Sequence, residues 1–144
     1  MAKKSKKLVS ISKLKAKAWK VFSEWIRRKD ADLDGNVVCV CCGKRGFWRS
    51  FQASHLVPGR KLGILFDERG VYPCCVGCNI FKHGNYREFD AFIDEKFGEL
   101  YRINLVEDLR RKSKQPTKWS RDQFEEVIEC YKNKIMTLKT LEGL

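Results

Sequence analysis

The sequence predicts an α+β fold, mostly helical, in which a zinc-stapled core is flanked by N- and C-terminal helices. Three observations predict it. Two close cysteine pairs, Cys39-Val40-Cys41-Cys42 and Cys75-Val76-Gly77-Cys78, bracket a segment of short strand signals. Stripes of apolar residues at helical spacing stand on both sides of that segment. No apolar run suits a signal peptide or a bilayer crossing, so the thiols are expected to be reduced metal ligands in a cytoplasmic protein. At 144 residues the chain is one domain. It divides into a basic flexible tail (1–11), an N-terminal helix (12–30), a zinc-knuckle core (37–98) and a helical extension (99–144).

The tail carries Lys3, Lys4, Lys6 and Lys7 and no acid. Leu14, Ala18, Phe22, Trp25 and Ile26 then form one helical stripe. Asp34-Gly35 signals a turn, and Val37-Val38-Cys39 a short strand into the first knuckle. Gly43 permits the tight turn after Cys42. The segment Phe47 to Ala53 reads as a strand ending at His55, and Val57 to Lys61 as a loop. Ile64-Leu65-Phe66 and Gly70-Val71-Tyr72 read as a second, broken strand ended by Pro73. From Asn79 a turn or two of helix is expected, up to Gly84. A helix with Tyr86, Phe89, Phe92, Ile93 and Phe97 on one stripe follows, closed by Gly98. Leu105 to Arg111 predicts a shorter helix, and 110–121 a basic linker with Pro116 inside. Ser120 and Gln123 form a capping box opening a last helix with Phe124, Val127, Ile128, Tyr131, Ile135 and Leu138 inward.

Thirty Lys and Arg against 18 Asp and Glu give a formal net charge of +12 and a pI near 9.5. That excess points to a polyanion, nucleic acid before a membrane surface. The plain alternative is a merely soluble basic protein.

Four thiolates in two knuckles are the usual way to fill the tetrahedron of a structural zinc. Cys39, Cys42, Cys75 and Cys78 are the preferred ligands, because a two-residue spacer lets both sulfurs of a knuckle face one point. Cys41 and Cys74 sit beside them and leave the register open; as bystanders they would be buried apolar filler. Cys130 lies near a helix stripe and reads as core.

Cutting a phosphodiester with a metal takes a base for water, a divalent cation for the phosphate, and cationic groups for the backbone. The two histidines flank the second knuckle. His55 ends the aromatic strand as a candidate base. Asn79 and His83 stand four apart, so on a helix they would face one way and share a cation. Each has a structural alternative: His55 as a buried, hydrogen-bonded side chain, Asn79 as a helix N-cap and His83 as a C-terminal cap.

The order Cys-x2-Cys, Ala53-Ser54-His55, Phe66-Asp67-Glu68-Arg69, Cys75-x2-Cys78-Asn79, then Lys82 and Gly84-Asn85 resembles the phage NinG (Rap) recombination proteins. The resemblance runs from about Ala18 to Leu138 and includes Trp119-Ser120. More distantly, the order is similar to phage endonuclease VII, a Holliday junction resolvase. The resemblance implies a ββα-metal (HNH-like) core and a structure-selective DNA endonuclease. It implies His55 as general base, Asn79 as a ligand to Mg²⁺ or Mn²⁺ with His83 as a further ligand, and the four preferred cysteines as zinc ligands. Two positions depart from the pattern. Gly70 stands where the middle Asn of the pattern pins the loop that orients the histidine. Ser54 stands where many relatives have an Asp or His ligand, so water, Asp67 or Glu68 would complete the cation site.

Arg60, Lys61, Lys82 and Arg87 lie close enough in sequence to bind the DNA backbone. The expected function is therefore cleavage of branched or duplex DNA, including Holliday junctions, in the cytoplasm of a bacterial host. Symmetric cutting of two strands would call for a homodimer. The competing expectations are a zinc-stabilised DNA-binding protein with a degenerate, inactive site, and an RNA-binding or protein-assembly zinc module.

Overall fold

The computed structural model describes residues 8–143. Most of the tail expected at 1–11 lies outside those residues, and Ser10 already caps the first helix by accepting the Lys13 N–H at 3.2 Å. Helix α1 runs Ile11–Arg28 and buries Leu14, Ala18, Phe22 and Ile26, as its stripe predicts. Arg27 and Arg28 fill its last turn, where cations suit the helix dipole. The final helix, α5 (Arg121–Glu142), opens on the expected capping box of Ser120 and Gln123. The two lie side by side in the same direction: Leu14 and Ala18 cluster with Phe124 and Ile128, Phe22 and Ile26 with Tyr131. At their far ends Arg28 pairs with Glu142 at 3.0 Å.

Between them in the sequence lie two small antiparallel sheets. Strand β1 (Asn36–Val38) pairs with β2 (Arg45–Phe47), and β3 (Phe51–His55) with β4 (Val71–Cys75). A single strand expected from Phe47 to His55 is in fact β2, a 3₁₀ turn at Trp48–Ser50, and β3. The second strand also differs from expectation. Residues Leu62–Leu65 form a helical turn, α2, and β4 runs through Pro73 to Cys75 instead of stopping there. Pro73 opposes Ala53 at a position whose backbone points away from β3; its carbonyl accepts the Val40 N–H at 3.2 Å. A missing N–H costs the ladder nothing at that position.

A π-helical turn, Gly77–Phe81, follows β4 directly. Helices α3 (Tyr86–Phe97) and α4 (Glu99–Lys114) then pack together around a bend at Gly98, whose φ of +96° favours glycine. Helix α4 is longer than the short helix read from the sequence and takes in the first half of the expected basic linker. Its alternating charges and apolar residues blur the periodicity that would have marked its start. Phe89, Ile93, Leu105 and Leu109 join Trp48, Phe51, Leu56, Ile64, Tyr72 and the buried cysteines in the main core. Cys130, expected in the core, is exposed on α5.

Phe22 is fully buried and meets Phe66 and Tyr131 edge-on, with ring centroids 5.5 and 4.9 Å away. Phe22→Ala should cost about 3–5 kcal/mol in urea unfolding, the usual range for emptying such a site; a loss below about 1 kcal/mol would show that α1 is not anchored this way.

Candidate active site and metal centre

The cysteine cluster is the junction of the two sheets. Cys39 follows β1, and its knuckle closes through Gly43 N–H to the Cys39 carbonyl (3.0 Å) and Cys39 N–H to the Lys44 carbonyl (2.8 Å). Gly43 takes φ +78°, as its place in that turn requires. Cys75 ends β4, and the π-turn carries Cys78 back so that its N–H donates to the Cys75 sulfur at 3.4 Å. Asn85 Nδ2 donates to the Cys78 sulfur at 3.5 Å. The sulfurs of Cys39, Cys42, Cys75 and Cys78 all lie within 4.8 Å of one another. This cluster can hold a structural metal such as zinc. Burial alone would raise the Cys39 thiol, but backbone N–H groups of Cys42, Cys75 and Cys41 outweigh it and bring it down to about 6. A thiol so placed is ready to bind metal near neutral pH.

Cys41 and Cys74 are buried, as expected of filler. With Cys39 and Cys78 they form a second set whose sulfurs also lie within 4.8 Å of one another.

Strand β3 deals its side chains to two faces. Gln52 and Ser54 meet the π-turn: Ser54 Oγ donates to Asn79 Oδ1 at 2.9 Å, and Asn79 Nδ2 donates to Gln52 Oε1. Ala53 and His55 meet α1: Ala53 packs with Phe22 and Ile26, and the His55 ring stacks on Trp19 with centroids 5.3 Å apart. His55 and Asn79 therefore approach the strand from opposite faces, with Ser54 beside both. Among the described residues no hydrogen bond joins them directly.

The His55 ring is 9% exposed. Its Nε2 lies 3.1 Å from the Leu65 carbonyl, which fixes the ring's orientation. Burial lowers its pKa from the ordinary value, the Leu65 carbonyl pulls the other way, and the positive charge of Arg60 lowers it again. The neutral ring so favoured donates Nε2–H to Leu65 and keeps its lone pair on Nδ1.

The Leu65 carbonyl belongs to a loop tied down on two sides. Arg69 bonds Asp67 (2.7 Å) and Asp108 of α4 (2.8 Å). Glu68 accepts from the Tyr131 hydroxyl and from Lys134 of α5 (3.2 Å). Burial works against the Asp67 charge, but Arg69 outweighs it and holds the carboxyl below its usual range. These pairings remove Asp67 and Glu68 from the cation site they were expected to complete. Gly70 has its own fit: a Cβ there would come within 2.7 Å of Leu109 Cδ1, while its carbonyl accepts the Leu56 N–H at 2.8 Å.

A cleft of about 320 Å³ opens along the free edge of β3, lined by Trp19, Arg27, Gln52, Arg60 and Asn79 among others. Arg27 Nη1 lies 3.5 Å from the Phe51 carbonyl on that edge, and the Arg60 guanidinium lies 4.4 Å from the Trp19 ring centroid. Of the cations expected to contact DNA, Arg60 lines this cleft; Lys61, Lys82 and Arg87 are exposed outside its lining. His83 does not share a helical face with Asn79. The π-turn ends at Phe81, and His83 sits exposed in the turn beyond it with φ +50°. Sequence reading missed Gln52, Trp19 and Arg27. Gln52 could have been found, since it stands two residues before Ser54 on the same strand face; Trp19 and Arg27 reach the site only through tertiary packing.

A family model described as the bacteriophage lambda NinG protein matches residues 1–142. Protein ninG of Salmonella phage P22 is 24% identical over 122 residues, covering 85% of this chain and 56% of the relative. The chain thus spans little more than half the length of that relative. No solved structure gives a significant match. No helix among the described residues is long and apolar enough to cross a membrane. With the family model matched along almost the whole chain, the protein belongs to the phage NinG family.

Proposed function

We propose that this protein is a metal-dependent DNA endonuclease acting on branched DNA, such as the junctions formed in recombination, in the cytoplasm of a bacterial host. The observation that carries the reading is the seating of Asn79 against Ser54, next in the chain to a histidine oriented by the Leu65 carbonyl. The pairing of β3 with β4, joined through α2 and a 3₁₀ turn and followed by the turn Gly77–Phe81, supports the reading of a ββα-metal (HNH-like) core. The net charge of +12 and the arginines of the cleft suit a phosphate backbone. The preference for branched DNA rests on the likeness to recombination proteins, and cutting both strands of a junction would take a homodimer.

Gln52, Ser54 and Asn79 offer uncharged oxygens, hard donors of the type Mg²⁺ or Mn²⁺ takes, and would hold such a cation. When bound, it supplies Lewis-acid stabilisation of the phosphate and the departing 3′ oxygen. Because none of these three is a carboxylate, the scissile phosphate itself must supply the negative charge. His55 stands outside the cleft's lining, on the strand face opposite Asn79; neutral and with Nδ1 unprotonated, it would take a proton from an attacking water that reaches it past the strand edge. Nε2–H stays on the Leu65 carbonyl and stabilises the ring as it charges. Arg60 and Arg27 hold the flanking phosphates, with Lys61, Lys82 and Arg87 as outlying contacts. Cleavage on this scheme leaves a 5′ phosphate and a 3′ hydroxyl.

A second reading, a zinc-stabilised DNA-binding protein with an inactive site, is favoured by the burial of His55 against Trp19 and by the carboxylate-free donor set. Nicking of supercoiled plasmid with and without Mg²⁺ separates the two. His55→Ala should reduce nicking by about 10² to 10⁴-fold, the usual worth of a general base, and leave the gel shift of a four-way junction unchanged. Wild-type junction binding with no nicking at all would favour the second reading, and undiminished nicking by the variant would remove His55 from the chemistry. Ser54→Asp adds the missing charge beside Asn79; it should lower the Mg²⁺ concentration for half-maximal cleavage by on the order of tenfold. An unchanged Mg²⁺ requirement would place the cation elsewhere.

A further inference from the structure

Six of the seven cysteines converge on one spot, and a single tetrahedral zinc uses four of them. The two sets of four sulfurs share Cys39 and Cys78. Cys42 and Cys75 complete the outer set; Cys41 and Cys74 complete the inner one. Sulfur–sulfur separations of 3.7 Å recur in both, between Cys42 and Cys75, between Cys39 and Cys74, and between Cys41 and Cys74. A zinc–sulfur bond of about 2.3 Å gives a tetrahedron whose edge is about 3.8 Å. Three of the edges of two tetrahedra sharing Cys39 and Cys78 thus already have that length, and within each set the remaining sulfurs lie within 4.8 Å of one another. From this geometry we infer that the cluster is a binuclear zinc centre, with six thiolates, two metal ions, and Cys39 and Cys78 as bridging ligands.

Burial and charge both bear on the inference. Cys41 and Cys74 are 9% and 0% exposed, so the inner set is dry. A second zinc there takes the last two thiols as thiolates, and the net charge of the centre stays at about −2, as with one zinc and four thiolates. The shared Cys78 sulfur also accepts a hydrogen bond from Asn85 Nδ2 at 3.5 Å. With one zinc in the outer set, Cys41 would spend its proton on the Gly84 carbonyl 3.6 Å away, a weak sulfur hydrogen bond. A disulfide between Cys41 and Cys74 is the other use of that pair, and would require their sulfurs to close to about 2.05 Å.

The inference rests on the reading of the cysteine cluster as a metal site, and is independent of the nuclease reading. Native mass spectrometry of the full chain, purified with reductant and zinc, counts the ions directly. Two zinc ions per chain are expected. One zinc, with or without the two-hydrogen mass loss of a disulfide, would overturn the binuclear centre and leave the single site standing. No zinc would overturn both. The double variant Cys41→Ser/Cys74→Ser should fall from two ions to one; retention of two would overturn the assignment of these ligands. Should that variant fail to fold, ¹¹³Cd NMR of the wild-type chain gives the answer by itself. Two resonances in the all-sulfur range are expected, and a single one would overturn the proposal.

Discussion

Sulfur from two distant segments, drawn to one point, is the constraint on which the rest of this structure depends. Strands β1 and β2 are three residues each, and the β3–β4 sheet has only two strands. Sheets so small are marginal on their own in water. The cluster ties the turn after β1 to the end of β4 and to the π-turn at once. Because Asn79 is the residue after Cys78, fixing that sulfur also fixes the carboxamide against Ser54. The cysteine cluster and the candidate cleavage site are thus one mechanical unit: the first sets the backbone path on which the second is displayed.

The histidine is held from a different direction. Its strand is clamped by the sheet, but its ring is positioned by α1 through Trp19 and by the loop carbonyl of Leu65. No side chain from Gly70 can pin that loop, and Leu109 occupies the space one would need. The loop is tied instead by Arg69 to Asp67 and Asp108, and by Glu68 to Tyr131. Burial, and then the hydrogen bond to Glu68, raise the Tyr131 phenol so that it remains a donor. The helical extension is therefore part of the site's support: α4 contributes Asp108, and α5 contributes Tyr131 and Lys134, to hold the loop that carries the Leu65 carbonyl.

Local signals carried much of the fold. The stripe of α1, the Ser120–Gln123 capping box and the Gly43 turn are all readable because each depends on residues within a few positions. The errors fall where tertiary contacts decide. Pro73 stays inside β4 because its backbone faces Val40 and not β3, a fact of sheet geometry that no dipeptide rule contains. Asn79 and His83 have helical spacing, but the turn that carries Asn79 is wound as a π-helix and ends at Phe81, so the spacing places His83 in a loop. Cys41 and Cys74 read as buried filler because knuckle spacing alone favours their neighbours. Only the folded chain shows them beside each other. The cleft was half legible: Asn79 and Arg60 from motif and charge, Gln52 from strand alternation once the face was known, and Arg27 and Trp19 from the packing of α1 alone.

The central claim, that metal-bound thiolates hold the carboxamide side of the site in place, is tested most directly by stripping the metal and watching Asn79. Side-chain amide NMR of the Asn79 Nδ2 group, before and after removal of zinc with a thiol-blocking reagent and chelator, reports its bonds to Gln52 and Ser54. The Asn79 signal is expected to move to solvent-like values and the β3–β4 amides to lose protection from exchange, while the paired helices α1 and α5 keep theirs. An Asn79 signal and sheet protection unchanged after complete zinc removal would contradict that claim.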